Sequence, residues 1–201
     1  MTPLCESLIV AEYVAERFSK EKDSDDDDNS SNCLLPQDAH DRATMRLFTE
    51  LCGSSFSYFP LLRAAPNDLS VALDSFKEGL ANVDAFLNRL GSSKKHPQQG
   101  GPFLFGHQFT LAECNAAPFV QRCCTILPAF TGGSKDQSTA TSTTTPIDPL
   151  KICDELGLVR LKQWMEAILE RPSVVTTGVP EEDMIRSTSR MLERFAQMDT
   201  K

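Results

Sequence analysis

A run of apolar residues spaced alternately four and three apart constrains the fold of this chain more than any other feature. Its positions are Leu69, Leu73, Phe76, Leu80, Val83, Leu87 and Leu90. This spacing places all of these side chains on one face of an α-helix, and Gly91 follows as a C-terminal stop signal. Because the pattern spans only about three heptads, it favours a helix packed in a bundle over a freestanding coiled coil.

Helical spacing of apolar residues recurs through most of the remaining chain. The predicted helices cover residues 7–18, the segment from Pro36 to 52, the segment from Thr110 through 123, residues 158–169 and the segment from Pro180 onward. Pro36 is expected in a first helical turn, whereas Gly53 and Pro60 are expected to bend or interrupt a helix. No segment alternates polar and apolar residues between hairpin turns. The sequence therefore predicts an all-α helical bundle of about six or seven helices.

The helix that starts after Thr110 has the most specific start signal. Thr110 is a favourable N-cap residue, and Glu113, three residues later, has the reach to accept a bond from the backbone amide of Thr110. Phe109 before the cap and Cys114 after it are placed to form a hydrophobic staple. The short apolar run at 103–105 is expected to pack on the core.

Two polar segments separate the predicted helices. Residues 21–35, which begin with EKDSDDDDNSSN, are assigned to an acidic disordered loop because like charges and a lack of apolar residues oppose packing. Residues 131–146, rich in Ser, Thr and Gly, are assigned to a low-complexity surface insertion. The predicted organisation is a first helix within 1–20, the acidic loop, and a helical domain over 36–201.

Charge and cysteine usage argue against several classes of function. A formal net charge of -8 opposes a surface that neutralises phosphates, so we expect no nucleic-acid partner. No apolar run approaches the roughly 18 residues of a membrane span, and no signal-peptide pattern is present, so we expect a cytoplasmic protein without membrane contact. The 7 cysteines and 3 histidines lack disulfide or zinc-ligand spacing, so a reducing compartment and no metal site are expected.

Taken in order, these segments resemble the C-terminal helical domain of the cytosolic glutathione transferases over residues 6–176. The features that carry the resemblance are Glu6-Ser7 opening a helix, the Pro36 and Arg42-Ala43 segment, the leucine-rich helix ending at Gly91, the stretch GPFLFGHQFTLAECNAAPFVQR, and Trp164 through Val174. The broad pattern is similar to the omega-like and bacterial-type members. This sequence has Glu113 where the family usually has Asp in the capping box.

The resemblance implies a site at which glutathione meets an electrophile. Glu6 and Ser7 look like the acidic residue and the serine that hold the γ-glutamyl end of glutathione, and a helix N-terminus suits that carboxylate. Arg46, Glu50 and Trp164 are the implied wall of the electrophile pocket. Each assignment has a plainer alternative, which is a helix cap for Ser7 and a surface or core position for the other three.

Nothing in the chain resembles the thioredoxin-like domain that supplies the catalytic Tyr, Ser or Cys of the family. Only the last helix of that domain has a counterpart, within residues 1–20, so the sequence predicts a transferase-like chain shortened at its N-terminus and without a catalytic residue. Cys5 is rejected as a nucleophile because no strand precedes it, as one precedes the family's nucleophile. Cys123 and Cys124 are interpreted as small core residues rather than as a redox pair.

Two functions are compatible with these expectations. The first is the helical half of a glutathione transferase for conjugation or thiol exchange, with glutathione as a weakly bound co-substrate. The second is a non-catalytic protein-interaction module, similar to the transferase-like domains of translation elongation factors and aminoacyl-tRNA synthetases. Leu8, Ile9 and Tyr13 are expected to be exposed and available to a homodimer or a partner protein.

Overall fold

The computed structural model describes residues 5–19, 33–91, 100–132 and 145–199, in which the regular secondary structure is helical. The helices of these ranges are α1 (Ser7–Ser19), α2 (Ala39–Ser55), α3 (Phe59–Arg63), α4 (Leu69–Gly91), α5 (Leu111–Thr131), α6 (Pro149–Leu156), α7 (Val159–Glu170), α8 (Pro172–Thr177) and α9 (Glu181–Asp199). The all-α prediction is confirmed, with more helices than the six or seven expected. None of the described helices is both long and apolar enough to cross a membrane.

Helix α5 is the centre of the bundle, since it packs against α1, α2, α3, α6, α7 and α9. Its buried apolar side chains are Leu111, Ala112, Ala116, Ala117, Val120, Cys123, Ile126 and Leu127. Pro118 and Pro128 lie inside the helix, which continues past both of them to Thr131. Burial on several sides at once holds α5 together more strongly than these prolines weaken it.

The leucine-rich segment forms α4 and presents the predicted face to the core. Phe76, Leu80, Val83 and Leu87 are buried there, and Phe86 beside them is buried as well. The helix packs on α2 and α7. Its last described residue is the predicted stop, Gly91.

Helix α2 begins three residues later than the sequence predicts. Asp38 is its N-cap, and the Oδ1 atom of Asp38 accepts bonds from the backbone N–H of His40 at 2.9 Å and of Asp41 at 3.1 Å. The expectation that Pro36 lies in the first turn is therefore wrong, because the side chain of Asp38 satisfies the first amides of the helix. The helix buries Met45, Phe48 and Cys52, whereas Leu47 is 60% exposed.

Prolines open three short helices that the sequence prediction does not contain. Pro60 lies in the first turn of α3, Pro149 in that of α6 and Pro172 in that of α8. A first-turn proline lacks only an N–H that would have no partner within the helix, so it can start a helix as well as stop one. Gly53, expected to interrupt α2, lies within it.

The end of the predicted acidic loop belongs to the bundle. Leu35 is buried in the core, and the carbonyl oxygen of Leu34 accepts a bond from the backbone N–H of Leu111 at 2.9 Å. Residues 33–35 therefore pack beside the start of α5. Residues 20–32, on which the prediction of an acidic loop rests, lie outside the described residues.

The ends of the Thr-rich insertion are also anchored. Thr131, assigned to the insertion, is buried at the end of α5, and its hydroxyl accepts a bond from the backbone N–H of Ile147 at 2.8 Å. Ile147 is itself buried. Residues 133–144, the remainder of this prediction, lie outside the described residues.

The capping box is formed, and Glu113 joins three parts of the chain. Its Oε2 atom accepts bonds from the backbone N–H of Thr110 at 2.9 Å and from the Thr110 hydroxyl at 2.8 Å. Its Oε1 atom accepts bonds from the backbone N–H of Leu104 at 2.8 Å and from the Trp164 indole N–H at 3.2 Å. Glu113 is fully buried, so these donors replace the water that a carboxylate otherwise needs.

Two arginines hold the turn-rich segment that precedes α5. The guanidinium group of Arg160 donates to the carbonyl oxygens of Pro102 and Phe103, at 2.7 Å in both cases. The Cζ atom of Arg171 lies 3.8 Å from the centre of the Phe109 ring, which is cation–π geometry. The segment is therefore tied to α7 and to the start of α8, and the 103–105 run packs on the core as predicted.

Replacing Thr110 by alanine is expected to lower the free energy of unfolding by about 1 kcal/mol, the usual cost of losing an N-cap. The hydroxyl accepts a bond from the backbone N–H of Ala112 at 3.3 Å, so the substitution removes a direct partner of the first turn. Urea unfolding followed by circular dichroism measures the loss. In a variant that already carries Glu113→Ala, the additional loss is expected to be smaller, because both residues belong to one network. Strict additivity would contradict this coupling.

Candidate functional site

A groove between α1, α2 and α5 brings together three of the predicted site residues. One cavity of about 340 Å³ is lined by Leu8, Ile9, Glu12, Met45, Arg46, Thr49, Glu50, Leu111 and Asn115. An adjoining cavity of about 520 Å³ is lined by Ser7, Leu8, Ala11, Thr49, Glu50, Gly53, Ser54, Cys114, Asn115, Pro118 and Phe119. Since Leu8, Thr49, Glu50 and Asn115 line both cavities, we treat them as one feature, the α1–α2–α5 groove.

The residues predicted to bind glutathione lie at the end of the groove where α1 begins. Ser7 is the first residue of α1 and lines the groove, whereas Glu6 precedes the helix and is exposed. The carbonyl oxygen of Glu6 accepts a bond from the backbone N–H of Val10 at 3.0 Å, so Glu6 occupies the cap position. The alternative interpretation of Ser7 as the cap is therefore wrong. Glu6 has a φ angle of +73°, a left-handed conformation that is uncommon for a residue other than glycine.

Arg46 and Glu50 lie on α2 and line the side of the groove that faces α1. The guanidinium group of Arg46 forms a bidentate ion pair with Glu12 of α1, in which Nε lies 3.1 Å from Oε2 and Nη2 bonds Oε1. The hydrogen bond from Arg46 lowers the pKa of the Glu12 carboxyl, and the same bond raises the pKa of Arg46. Arg46 is thus already paired with a carboxylate at the wall of the groove.

Trp164, the third residue predicted to line a pocket, is in the core instead. Its side chain is 0% exposed, and its ring lies 5.2 Å from the ring of Phe48 and 6.2 Å from that of Phe56, measured between centroids. Its indole N–H is bonded to Glu113. The substrate-binding assignment of Trp164 is corrected because this side chain has no surface left for a ligand. Its alternative interpretation as a core residue agrees with its burial.

Thr49, Cys114 and Asn115 line the groove but were not predicted as site residues. Thr49 donates its hydroxyl proton to the carbonyl oxygen of Met45 at 3.0 Å, so that proton is already engaged. Cys114 is half-buried, and burial raises the pKa of its thiol. A sequence signal did exist for two of them, because Cys114 and Asn115 directly follow the capping box on a helix otherwise rich in small apolar residues.

The other described cysteines form no site with the groove. Cys5 is exposed, whereas Cys52, Cys123 and Cys153 are buried. Burial raises the pKa of Cys124 and of Cys153 to about 12, so both are protonated at neutral pH. A protonated thiol is a poor nucleophile, which fits the interpretation of the Cys123-Cys124 pair as packing residues.

Two further cavities lie away from the predicted residues. One of about 690 Å³ between α2, α3 and α4 is lined by serines and apolar residues together with Arg63, Asp68 and Glu78. Another of about 360 Å³ lies between α5, α8 and the start of α9. Cys114 and Pro118 line both the latter cavity and the α1–α2–α5 groove, so the concave surface continues along α5.

One cluster of possible metal ligands occurs among the described residues. The ligand atoms of Asp38, His40 and Asp41 lie within 4.8 Å of one another at the start of α2. The group is largely exposed, and Asp38 is already occupied as the N-cap of the helix. Exposed acidic groups at a helix start are explained by capping and by the helix dipole, so this cluster does not indicate a metal site.

Comparison with known proteins does not assign the chain to a family. No model of a known protein family matches it. No curated protein sequence matches it either.

Proposed function

We propose that the chain is the helical half of a glutathione-transferase-like protein, in which the α1–α2–α5 groove forms the electrophile-side wall of a site for conjugation or thiol exchange. The observation that carries the proposal is that the groove joins the N-terminus of α1, at Ser7, to Glu50 and Cys114 on the two helices that face it. Ser7 and Glu50, to which the resemblance gives site roles and which are far apart in sequence, thus line one concave surface large enough for a small molecule.

The chemistry of the groove fits the γ-glutamyl end of glutathione and an apolar electrophile. Backbone N–H groups at the start of a helix and the positive end of its dipole favour a carboxylate, and Ser7 adds a hydroxyl beside them. The carboxylate of Glu6 is suited to an ammonium group at the same end. Apolar side chains such as Leu8 and Phe119 provide a surface for an apolar electrophile farther along the groove.

A group that activates the glutathione thiol is expected to come from a thioredoxin-like domain, which the proposal places opposite the groove. Thr49 donates to the Met45 carbonyl, and the Ser54 hydroxyl donates to the carbonyl oxygen of Leu51 at 2.9 Å. Those hydroxyl protons are engaged by the backbone. The proposal includes a cytoplasmic location, where reduced glutathione is available.

We expect the 201-residue chain by itself to conjugate glutathione to chlorodinitrobenzene no faster than buffer does, because the donor that activates the thiol is expected to come from the thioredoxin-like domain. Glutathione is expected to bind weakly, with a Kd on the order of 1 mM. Ser7→Ala should weaken that binding about tenfold, since a hydrogen bond to a charged group is lost. Absorbance at the product wavelength and isothermal titration calorimetry measure the two quantities.

Ser57→Ala is the matched control for binding, because Ser57 is exposed and lines the cavity between α2, α3 and α4 but not the α1–α2–α5 groove. Equal glutathione affinity of the Ser7→Ala and Ser57→Ala variants would contradict the proposed carboxylate site. Turnover above the buffer rate that disappears when glutathione is omitted would show that the chain activates the thiol itself, and would make Cys5 a candidate.

A second candidate function, a non-catalytic protein-interaction module, is favoured by the outward face of α1. Tyr13 and Phe18 are 52% and 67% exposed, and Val10 and Val14 beside them are exposed as well. Contiguous apolar side chains on a surface commonly mark a binding face, for a second copy or another protein. Glutathione binding without any association of the chain favours the first function, and association without glutathione binding favours this one.

A further inference from the structure

Helix α1 turns its short side chains toward the bundle. Among residues 7–18, only Ala11, Glu12 and Ala15 are half-buried, and the two alanines are the α1 residues that pack on the core. The aromatic rings of Tyr13 and Phe18 point largely into solvent. The stabilisation from burial scales with apolar area, so two alanines attach α1 far less firmly than leucines attach α4.

Packing beneath α1 is incomplete. The two cavities of the α1–α2–α5 groove, of about 340 and 520 Å³, both lie between α1 and the surface of α2 and α5. Protein interiors normally leave few voids larger than a water molecule. The contact between α1 and the rest of the bundle therefore leaves open space beside the alanine contacts.

An ion pair between Glu12 and Arg46 links α1 to α2 across this groove. Arg46 binds both carboxylate oxygens of Glu12, and their side chains are 60% and 27% exposed. Solvent screens such a pair, so it contributes only modestly to holding the helix. A helix as short as α1 is also marginal without packing against a partner surface.

We propose that α1 is a movable helix over the α1–α2–α5 groove, that the Glu12–Arg46 ion pair favours its closed position, and that it opens while the rest of the bundle stays folded. Opening exposes the groove surface of α2 and α5, including Cys114. The proposal rests on the proposed function only for the identity of the ligand that enters, because the opening itself is measurable without any ligand.

Cys114 is a built-in reporter of this motion. Its half-buried thiol lines the groove together with Ser7, Leu8 and Ala11 of α1, so a reagent in solution reaches it more readily when α1 is open. Cys52 and Cys123 are fully buried in the core and react only when the bundle itself unfolds. Comparing these cysteines in one sample separates local opening from global unfolding.

The test is iodoacetamide labelling of the full chain at neutral pH, with each cysteine quantified by mass spectrometry, together with amide hydrogen exchange. Glu12→Gln is expected to increase the labelling rate of Cys114 and the exchange rate of residues 8–18 by about twofold to fivefold, the range for one exposed ion pair. Labelling of Cys52 and exchange in α4 are expected to stay unchanged. Reversing the pair, with Glu12→Arg and Arg46→Glu together, is expected to restore both rates in part, because Arg42 and Glu16 favour the native pair and oppose the reversed one.

Lys162→Gln is the matched control. It removes another exposed ion pair between helices, in which Lys162 Nζ lies 2.6 Å from Oδ1 of Asp154, and it should leave Cys114 labelling unchanged. Equal Cys114 labelling in the native chain and the Glu12→Gln variant would overturn the proposal. A parallel rise at Cys52 would also overturn it, because the bundle would then open as a whole. Absence of glutathione binding would count against the proposed function and leave this result standing.

Discussion

Replacing Trp164 by alanine is expected to lower the free energy of unfolding by about 3–5 kcal/mol, the usual cost of truncating a fully buried aromatic residue. The ring has no exposed surface and packs edge-on against Phe48 and stacked on Phe56. The substitution leaves a cavity between α2 and α7 and removes the indole N–H from Glu113. Urea unfolding followed by far-ultraviolet circular dichroism measures the loss.

Two variants separate packing from hydrogen bonding at this position. Trp164→Phe keeps most of the apolar volume but removes the indole donor, so its loss should be clearly smaller than that of Trp164→Ala. Phe119→Ala truncates a partly exposed aromatic residue of α5 and should cost less than either. A Trp164→Ala variant that unfolds at the same urea concentration as the native chain would show that this core is not packed as described.

Replacing Glu113 by alanine is expected to lower the free energy of unfolding by about 3 kcal/mol or more, because several buried donors lose their acceptor together. The backbone N–H groups of Leu104 and Thr110 and the indole of Trp164 all bond its carboxylate. An unpaired buried donor costs about 1–3 kcal/mol by itself. The same urea titration measures the effect.

The control for Glu113 is a carboxylate without such donors. Glu155 is exposed on α6, and Glu155→Ala should change the stability by less than about 0.5 kcal/mol. Glu113→Asp keeps a carboxylate at the capping box but shortens its reach toward Leu104 and Trp164, so an intermediate loss is expected. A loss for Glu113→Ala no larger than that for Glu155→Ala would contradict the network.

Local sequence signals predicted the elements that depend on a few neighbouring residues. The spacing from Leu69 to Leu90 predicted α4, and Thr110 with Glu113 predicted the start of α5. Both rest on positions three or four apart, for which periodicity and capping rules are designed. Short helices that open with a proline, such as α3 and α8, are too brief for periodicity to be visible.

Local sequence patterns could not predict contacts between residues that lie far apart in the sequence. The Arg46–Glu12 pair joins two helices, and no spacing rule connects residues so far apart in the chain. Helix α7 has no side-chain cap of its own, and the carboxylate of Asp84 on α4 instead accepts a bond from the backbone N–H of Leu161 at 2.8 Å. Such partners become visible only once the helices are packed.

For Trp164, helical spacing and family resemblance gave different predictions. Its helical spacing with Leu161, Met165 and Ile168 indicated a buried face, which is where the structure places it. The family resemblance placed the same residue in a ligand wall, where it does not lie. For Ser7, Arg46 and Glu50 the resemblance did identify residues that share one groove, which spacing alone could not have joined.

The position of Trp164 also determines what the tryptophan fluorescence of this protein reports. It is the one tryptophan of the chain, and it is enclosed by the core rather than by the α1–α2–α5 groove. Its fluorescence therefore follows the integrity of the bundle, while a molecule that enters the groove does not touch the indole. Tyr13 on α1, by contrast, is exposed at the surface. Binding studies by fluorescence consequently need a label placed on α1 and not the intrinsic tryptophan signal.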